Sequence, residues 1–195
     1  MKMFPKANKG GNFDDRPPAP KGNHVARCYL IADLGKQNTV SALYGKKIKH
    51  KIVLNFELCH ELMEDGRPFS VTAIYTYSFH ENSNLGPILK SWTGSDLDDD
   101  FDILTLLGEA CLLNVAHEPR DSGGVFVNVM AVTPCPKGMD APKAVNPLVW
   151  YSPEDHSDKR WADLPKWIRT KIEGRVINEN TQDKEKIEFD DKIPF

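Results

Sequence analysis

Two alternating stretches decide most of what this chain can become. In residues 49–58 (KHKIVLNFEL), Ile52, Leu54, Phe56 and Leu58 alternate with Lys51, Val53, Asn55 and Glu57. In residues 68–79 (PFSVTAIYTYSF), Phe69, Val71, Ala73, Tyr75, Tyr77 and Phe79 all fall on one side. A period of two is that of a strand with one buried face, and a helix does not present it. Between them, Asp65-Gly66 supplies a strong hairpin turn. The two stretches are therefore predicted as antiparallel neighbours, with Lys51, Val53 and Asn55 on the outward face.

The other elements follow from local signals. HVARCYLIADLG reads as a first strand starting near His24 and ending at Gly35. A polar stretch then leads to a hairpin tip in LYGKK, where Gly45 gives the turn. After residue 80 the alternation stops. Ser83 can cap a short helix carrying Leu85, Ile88, Leu89 and Trp92, with Pro87 tolerated in its first turn and Gly94 ending it. FDILTLL suggests a second short helix, stopping at Gly108. EACLLNVAHE and GVFVNVMAV read as two further strands joined by PRDSGG.

Five prolines from Pro134 to Pro153 predict an extended strap. Asp163 can cap a last helix with a stripe of Leu164, Trp167, Ile168 and Ile172, ended by Gly174. Five strands with helical material between the third and fourth is the element order of the OB-fold. The expected fold is mainly β: a five-stranded OB-fold barrel, short helices between strands three and four, and a C-terminal helix. An α+β sheet with helices on one side shares that order.

Composition sets the domain plan. Residues 1–22, rich in lysine, glycine and proline, form an expected basic flexible arm. Residues 23–175 form the folded domain, and residues 176–195 an acidic, disordered tail. The formal net charge of -3 hides a strong asymmetry. Residues 1–51 hold eleven Lys/Arg against three acids, whereas residues 52–102 hold two against ten. No run of about 18 apolar residues exists, and the opening MKMFPKANKGG has no apolar stretch, so neither a membrane span nor a secretory signal is expected. The cytoplasm is the default location. The four cysteines, Cys28, Cys59, Cys111 and Cys135, form no C-x-x-C pair and are expected as free thiols.

Catalytic and metal signatures are absent, so no enzyme, cofactor or metal site is expected. Asp98, Asp100, Asp102 and Glu109 match four calcium-loop positions, yet Ile103 stands where glycine is needed. Cys59-His60 and His80-Glu81 lack a second ligand pair at zinc spacing. No phosphate loop, nucleophile elbow or deaminase set occurs.

The terminus is the sharpest motif. After an acidic run the chain ends in Asp190, Asp191, Lys192, Ile193, Pro194 and Phe195. A free carboxylate beside a ring fits a pocket with a basic rim, Pro194 lowers the entropy lost on docking, and the aspartates steer. This ending resembles the acidic tip of bacterial single-stranded-DNA-binding proteins, in which the tip docks on partners while an OB-fold holds the DNA. The body segments HVARCYLIADLG, YTYSFHENSNL, LLGEACLLNV, TPCPKGM and NPLVWY, within residues 18–170, resemble a group of phage-encoded proteins from replication modules.

The resemblance implies sequence-independent binding and protection of single-stranded DNA during phage-type replication or recombination. Docking of replication and recombination proteins would run through Asp190, Asp191, Ile193, Pro194 and Phe195, and a homodimer is one allowed assembly. A recombination mediator or annealing protein is the first alternative. A decoy that occupies tail-docking pockets without binding DNA is the second.

Strand binding needs cations for phosphates and flat rings for bases. Lys46, Lys47, Lys49 and Lys51, preceded by Tyr44, form the densest cationic cluster, with Arg67 and Lys90 as lesser candidates. Tyr75, Tyr77 and Trp92 are candidate stacking rings. For each, a place in the core is the competing reading.

Overall fold

A computed structural model describes residues 17–41, 45–98, 100–121 and 123–177. The chain forms β1 (Gly22–Ser41), β2 (Gly45–Leu62), β3 (Pro68–Thr76), α1 (Leu85–Thr93), a 3-10 turn (Ile103–Leu106), β4 (Ala110–Pro119) and β5 (Val125–Pro134). A short β6 (Val149–Tyr151), α2 (Asp158–Asp163) and α3 (Lys166–Glu173) complete it. The sheet is open and six-stranded, in the order β3-β2-β1-β4-β5. All pairings are antiparallel except that of β6, which lies parallel to β1 through Leu30–Ala32.

β1 organises everything else. It extends beyond the expected stop at Gly35, because a bulge there (φ +69°) lets the strand bend and continue. Asp33 accepts a 2.7 Å hydrogen bond from the Gly35 amide, which fixes that bulge. An earlier bulge between Cys28 and Leu30 shifts the alternation by one residue. Ala26, Cys28 and Ile31 therefore face one core, and Leu30, Ala32 and Leu34 the other.

The main core lies inside the curl of the sheet. Ile52, Leu54, Phe56 and Leu58 of β2 meet Val71, Ala73 and Tyr75 of β3 there, closed below by α1 and the 3-10 turn. The N-cap of α1 is Asn84, one residue after Ser83, whose hydroxyl accepts from the Gly86 amide at 3.0 Å. It ends at Gly94 in the left-handed conformation. Gly86 is required by contact, since a Cβ there would sit 2.4 Å from the Phe79 carbonyl oxygen.

The second core corrects the expectation of an outward face on β2. Val53, Asn55 and Glu57 are buried, not solvated. Val53 packs beneath β6 and α3 with Leu164, Ile168 and Ile172. Glu57 accepts from the Val145 and Asn146 amides at 2.6 and 2.8 Å and from the Asn146 side chain. The strap, residues 135–148, is tied down a second time where Arg27 donates to the carbonyls of Ala141 and Pro142. Alternation marks which residues share a face, but not whether later chain covers that face.

Two boundaries also shift. Ala19 is already part of the main core and its carbonyl accepts from His117 at 2.7 Å, so packing begins inside the expected arm. The expected last helix is α3, with Pro165 rather than Asp163 at its N-cap, and the short α2 that ends at Asp163 is not among the expected elements. The four cysteines are free, as expected, with Cys28 and Cys111 buried. No helix among the described residues is long and apolar enough to cross a membrane.

Candidate nucleic-acid interface

The β1–β2 hairpin runs out past the body of the sheet. Gln37 pairs with Lys49, Thr39 with Lys47 and Val40 with Lys46, and no third strand among the described residues joins these pairs. A two-stranded ribbon has no layer to bury against, which is why this stretch of sequence is polar. Lys46, Lys47 and Lys49 are exposed there. Alternation sets Lys47 and Lys49 on the face that continues into Lys51, and Lys46, Ile48 and His50 on the other.

At the root of this arm stands a line of rings. The His50 imidazole lies 2.6 Å from an Asp33 carboxylate oxygen and meets the Tyr77 ring edge-on at 5.2 Å. Tyr77 meets Phe79 at 5.6 Å, and Phe79 meets Phe101 at 5.8 Å, both edge-on. Tyr77, Phe79 and Phe101 are half-buried, each with one side packed on the main core. Burial, and secondarily the carboxylates of Asp33, Asp102 and Glu154, raise the Tyr77 phenol above its usual range. The phenol therefore stays neutral at physiological pH and keeps its proton to donate.

The expected site residues separate in the structure. Lys51 sits at the arm's root, half-buried, donating to the Thr76 hydroxyl at 3.1 Å. Burial, and then Lys49 beside it, hold its pKa below the usual lysine value. Tyr75 is a core residue at 8% exposure, and Trp92 likewise at 4%. The Trp92 ring tilts against Phe56 at 5.6 Å and its indole N–H donates to the Ala110 carbonyl, so it is closed to a base.

Lys90 is exposed on α1 and paired with Asp96. Arg67 lies at the β2–β3 hairpin, held by Asp65, at the opposite end of β2 from the lysines. Tyr44 and the tail residues Asp190, Asp191, Ile193, Pro194 and Phe195 lie outside the described residues. The structure thus gathers Lys46, Lys47, Lys49, Lys51 and Tyr77, and leaves Arg67, Lys90, Tyr75 and Trp92 elsewhere.

Sequence reasoning missed His50 and Phe101, which join the ring line only through tertiary contact. It also missed the ring and cation on the expected β4–β5 hairpin, where Phe126 is 49% exposed with the Arg120 guanidinium carbon 4.3 Å above its ring. Phe126 sits in a run that is apolar at nearly every position, so alternation gave no signal there.

A cleft of about 510 Å³ lies between Arg27, Gly108 and residues 143–148. Arg27 is occupied by carbonyls within it and offers little to a ligand. Among the described residues, no three His, Cys, Asp or Glu side chains converge as a metal site. No family model matches the chain, and no curated protein or solved structure is detectably similar to it.

Proposed function

We propose that this protein binds single-stranded DNA, without catalysis, along the lysine-bearing β1–β2 arm and the ring line at its root. The observation that carries this reading is the juxtaposition of exposed Lys46, Lys47 and Lys49 with the half-buried rings of His50, Tyr77, Phe79 and Phe101. Lysines neutralise phosphates in a sequence-independent way, and a ring with one face packed and one open is a platform for an unstacked base.

The architecture supports the same reading. The order β3-β2-β1-β4-β5, with α1 between the third and fourth strands, is the order an OB-fold barrel would have if it were opened at one seam. β3 and β5 come alongside one another there without a hydrogen-bonded register. The protein would then coat strands exposed in phage-type replication or recombination. The Ile193-Pro194-Phe195 tip, read from sequence, would recruit partner proteins.

Titration of labelled oligo-dT into the purified protein tests this. Affinity is expected to fall steeply with salt. The K46E/K47E/K49E variant is expected to lose most of it, with the slope of log K against log salt reduced by about 2, near 0.7 per lost phosphate contact. An unchanged affinity and slope in a variant with unchanged melting would refute the assignment.

A further inference from the structure

A second cavity, of about 330 Å³, opens where β6, α2 and the end of α3 meet, lined by Tyr151, Pro153, His156, Trp161, Glu173 and Arg175. Its size is at the low end of small-ligand sites, ~300–1,000 Å³. Three rings shape one wall. Tyr151 lies 5.3 Å from Trp161 and 5.9 Å from His156, centroid to centroid. The Tyr151 hydroxyl and His156 Nδ1 are 2.8 Å apart, and His156 Nε2 lies 3.1 Å from Asp158, so the imidazole is held from both sides. The wall is a fixed aromatic surface whose Trp161 is only half-buried.

Two charges complete the cavity, and neither has an opposite partner among the described ion pairs. The Arg175 side chain makes one hydrogen bond, from Nη1 to the Ile172 carbonyl at 2.9 Å, and Glu173 stands exposed on the rim. The nearby Arg160 is already engaged, bridging to Asp155 at 2.9 Å and stacking on Trp150 at 3.8 Å. Position ties this cavity to the arm. The Arg175 side chain lies over Gly35, where a Cβ would come within 2.8 Å of its Cδ. The Val176 amide donates to the Lys36 carbonyl at 2.7 Å, and Gln37 donates to the Lys171 carbonyl at 2.9 Å. Gly35 and Gln37 are the cross-strand partners of Lys51 and Lys49, so the cavity abuts the root of the lysine arm.

We infer that this cavity is a base-selective subsite that takes one guanine from the bound strand. The inference rests on the strand-binding reading above and adds specificity to it. Trp161 offers the flat surface for the base, and Arg175 a cation for the adjoining phosphate. Glu173 selects the base. A carboxylate accepts two parallel hydrogen bonds, and guanine presents two adjacent donors, N1–H and the 2-amino group, on its Watson–Crick edge. Thymine presents one, flanked by acceptors that Glu173 would repel. Free base edges of single strands are read by such contacts.

The test compares oligo-dT with the same oligonucleotide carrying one central guanine. Wild-type protein is expected to prefer the guanine-bearing strand about 5- to 150-fold, the range that 1–3 kcal/mol per specific pair implies. E173Q, a change at an exposed position, is expected to lose that preference, bringing the affinities for the two strands within about twofold of each other. W161A is expected to weaken the guanine strand most. W161F, which keeps a packed ring, serves in its place if W161A melts early. Equal affinity of wild type for the two strands, or a preference that survives in E173Q, overturns the subsite and leaves strand binding standing. Failure of wild type to bind either strand overturns both readings.

Discussion

Tyr75 shows how a residue's class can be right and its role differ. Its ring belongs to the alternating face of β3, and that face is the main core. Its hydroxyl is buried there with no hydrogen-bond partner among the described residues. Leaving a buried hydroxyl unsatisfied costs about 1–3 kcal/mol, so Tyr75→Phe is expected to stabilise the fold by about 1 kcal/mol and to leave DNA affinity unchanged. Thermal melts and an oligo-dT titration check both. Burial also raises the pKa of the Tyr75 phenol and of the Cys28 and Cys111 thiols. These groups ionise more readily unfolded than folded. Their contribution is complete below the unfolded values, ~8.5 for thiols and ~10 for phenols, and is lost as pH rises towards the folded values. The melting temperature is expected to fall above about pH 8.5 and more steeply above 10. Tyr75→Phe should flatten only the second part.

At the scale of elements, the strap between β5 and β6 is the least regular segment of the domain and among the most firmly attached. Arg27 donates into its carbonyls, and Glu57 accepts from its amides. Glu57 is one of the two polar or charged side chains buried among the described residues, and its carboxylate is fully used. Glu57→Ala leaves the donors of Val145 and Asn146 without an acceptor, and is expected to cost about 3 kcal/mol in urea unfolding. Glu57→Gln, which keeps one acceptor oxygen, should fall between. A loss under about 0.5 kcal/mol in both variants, the usual scatter of surface changes, would show that the strap is held by other contacts.

The described domain is one sheet with a core on each face. β1 and β2 contribute to both, with Ile52, Leu54 and Phe56 on one side and Leu30, Ala32 and Val53 on the other. Neither core can lose its strands without opening the other. Unfolding is therefore expected as a single transition, with far-ultraviolet dichroism and tryptophan fluorescence melting together. Fluorescence reports both layers, through Trp92 in the main core and Trp161 and Trp167 against the second. An earlier fluorescence transition, with the sheet signal retained, would mean that α2 and α3 detach by themselves. The same construction keeps the arm cheap to alter, because Lys46, Lys47 and Lys49 belong to neither core.

The sequence by itself determined the existence of β1 to β5 (though not how far β1 runs), their turns and the grouping of the lysines. Period two, Asp65-Gly66, Gly45 and Gly94 act over a few residues, and local rules read them directly. It also showed that Tyr75 and Tyr77 share a face, but not that one lies in the core while the other edges into solvent. Only the tertiary structure decided that Val53, Asn55 and Glu57 are covered, because the covering chain arrives about ninety residues later. It alone brought His50, Tyr77 and Phe101 into one line, and set Arg175 against Gly35 at the root of the arm. Long-range packing carries no periodic signal in the chain, since the residues that meet are chosen by shape and by where the bulges in β1 turn the strand.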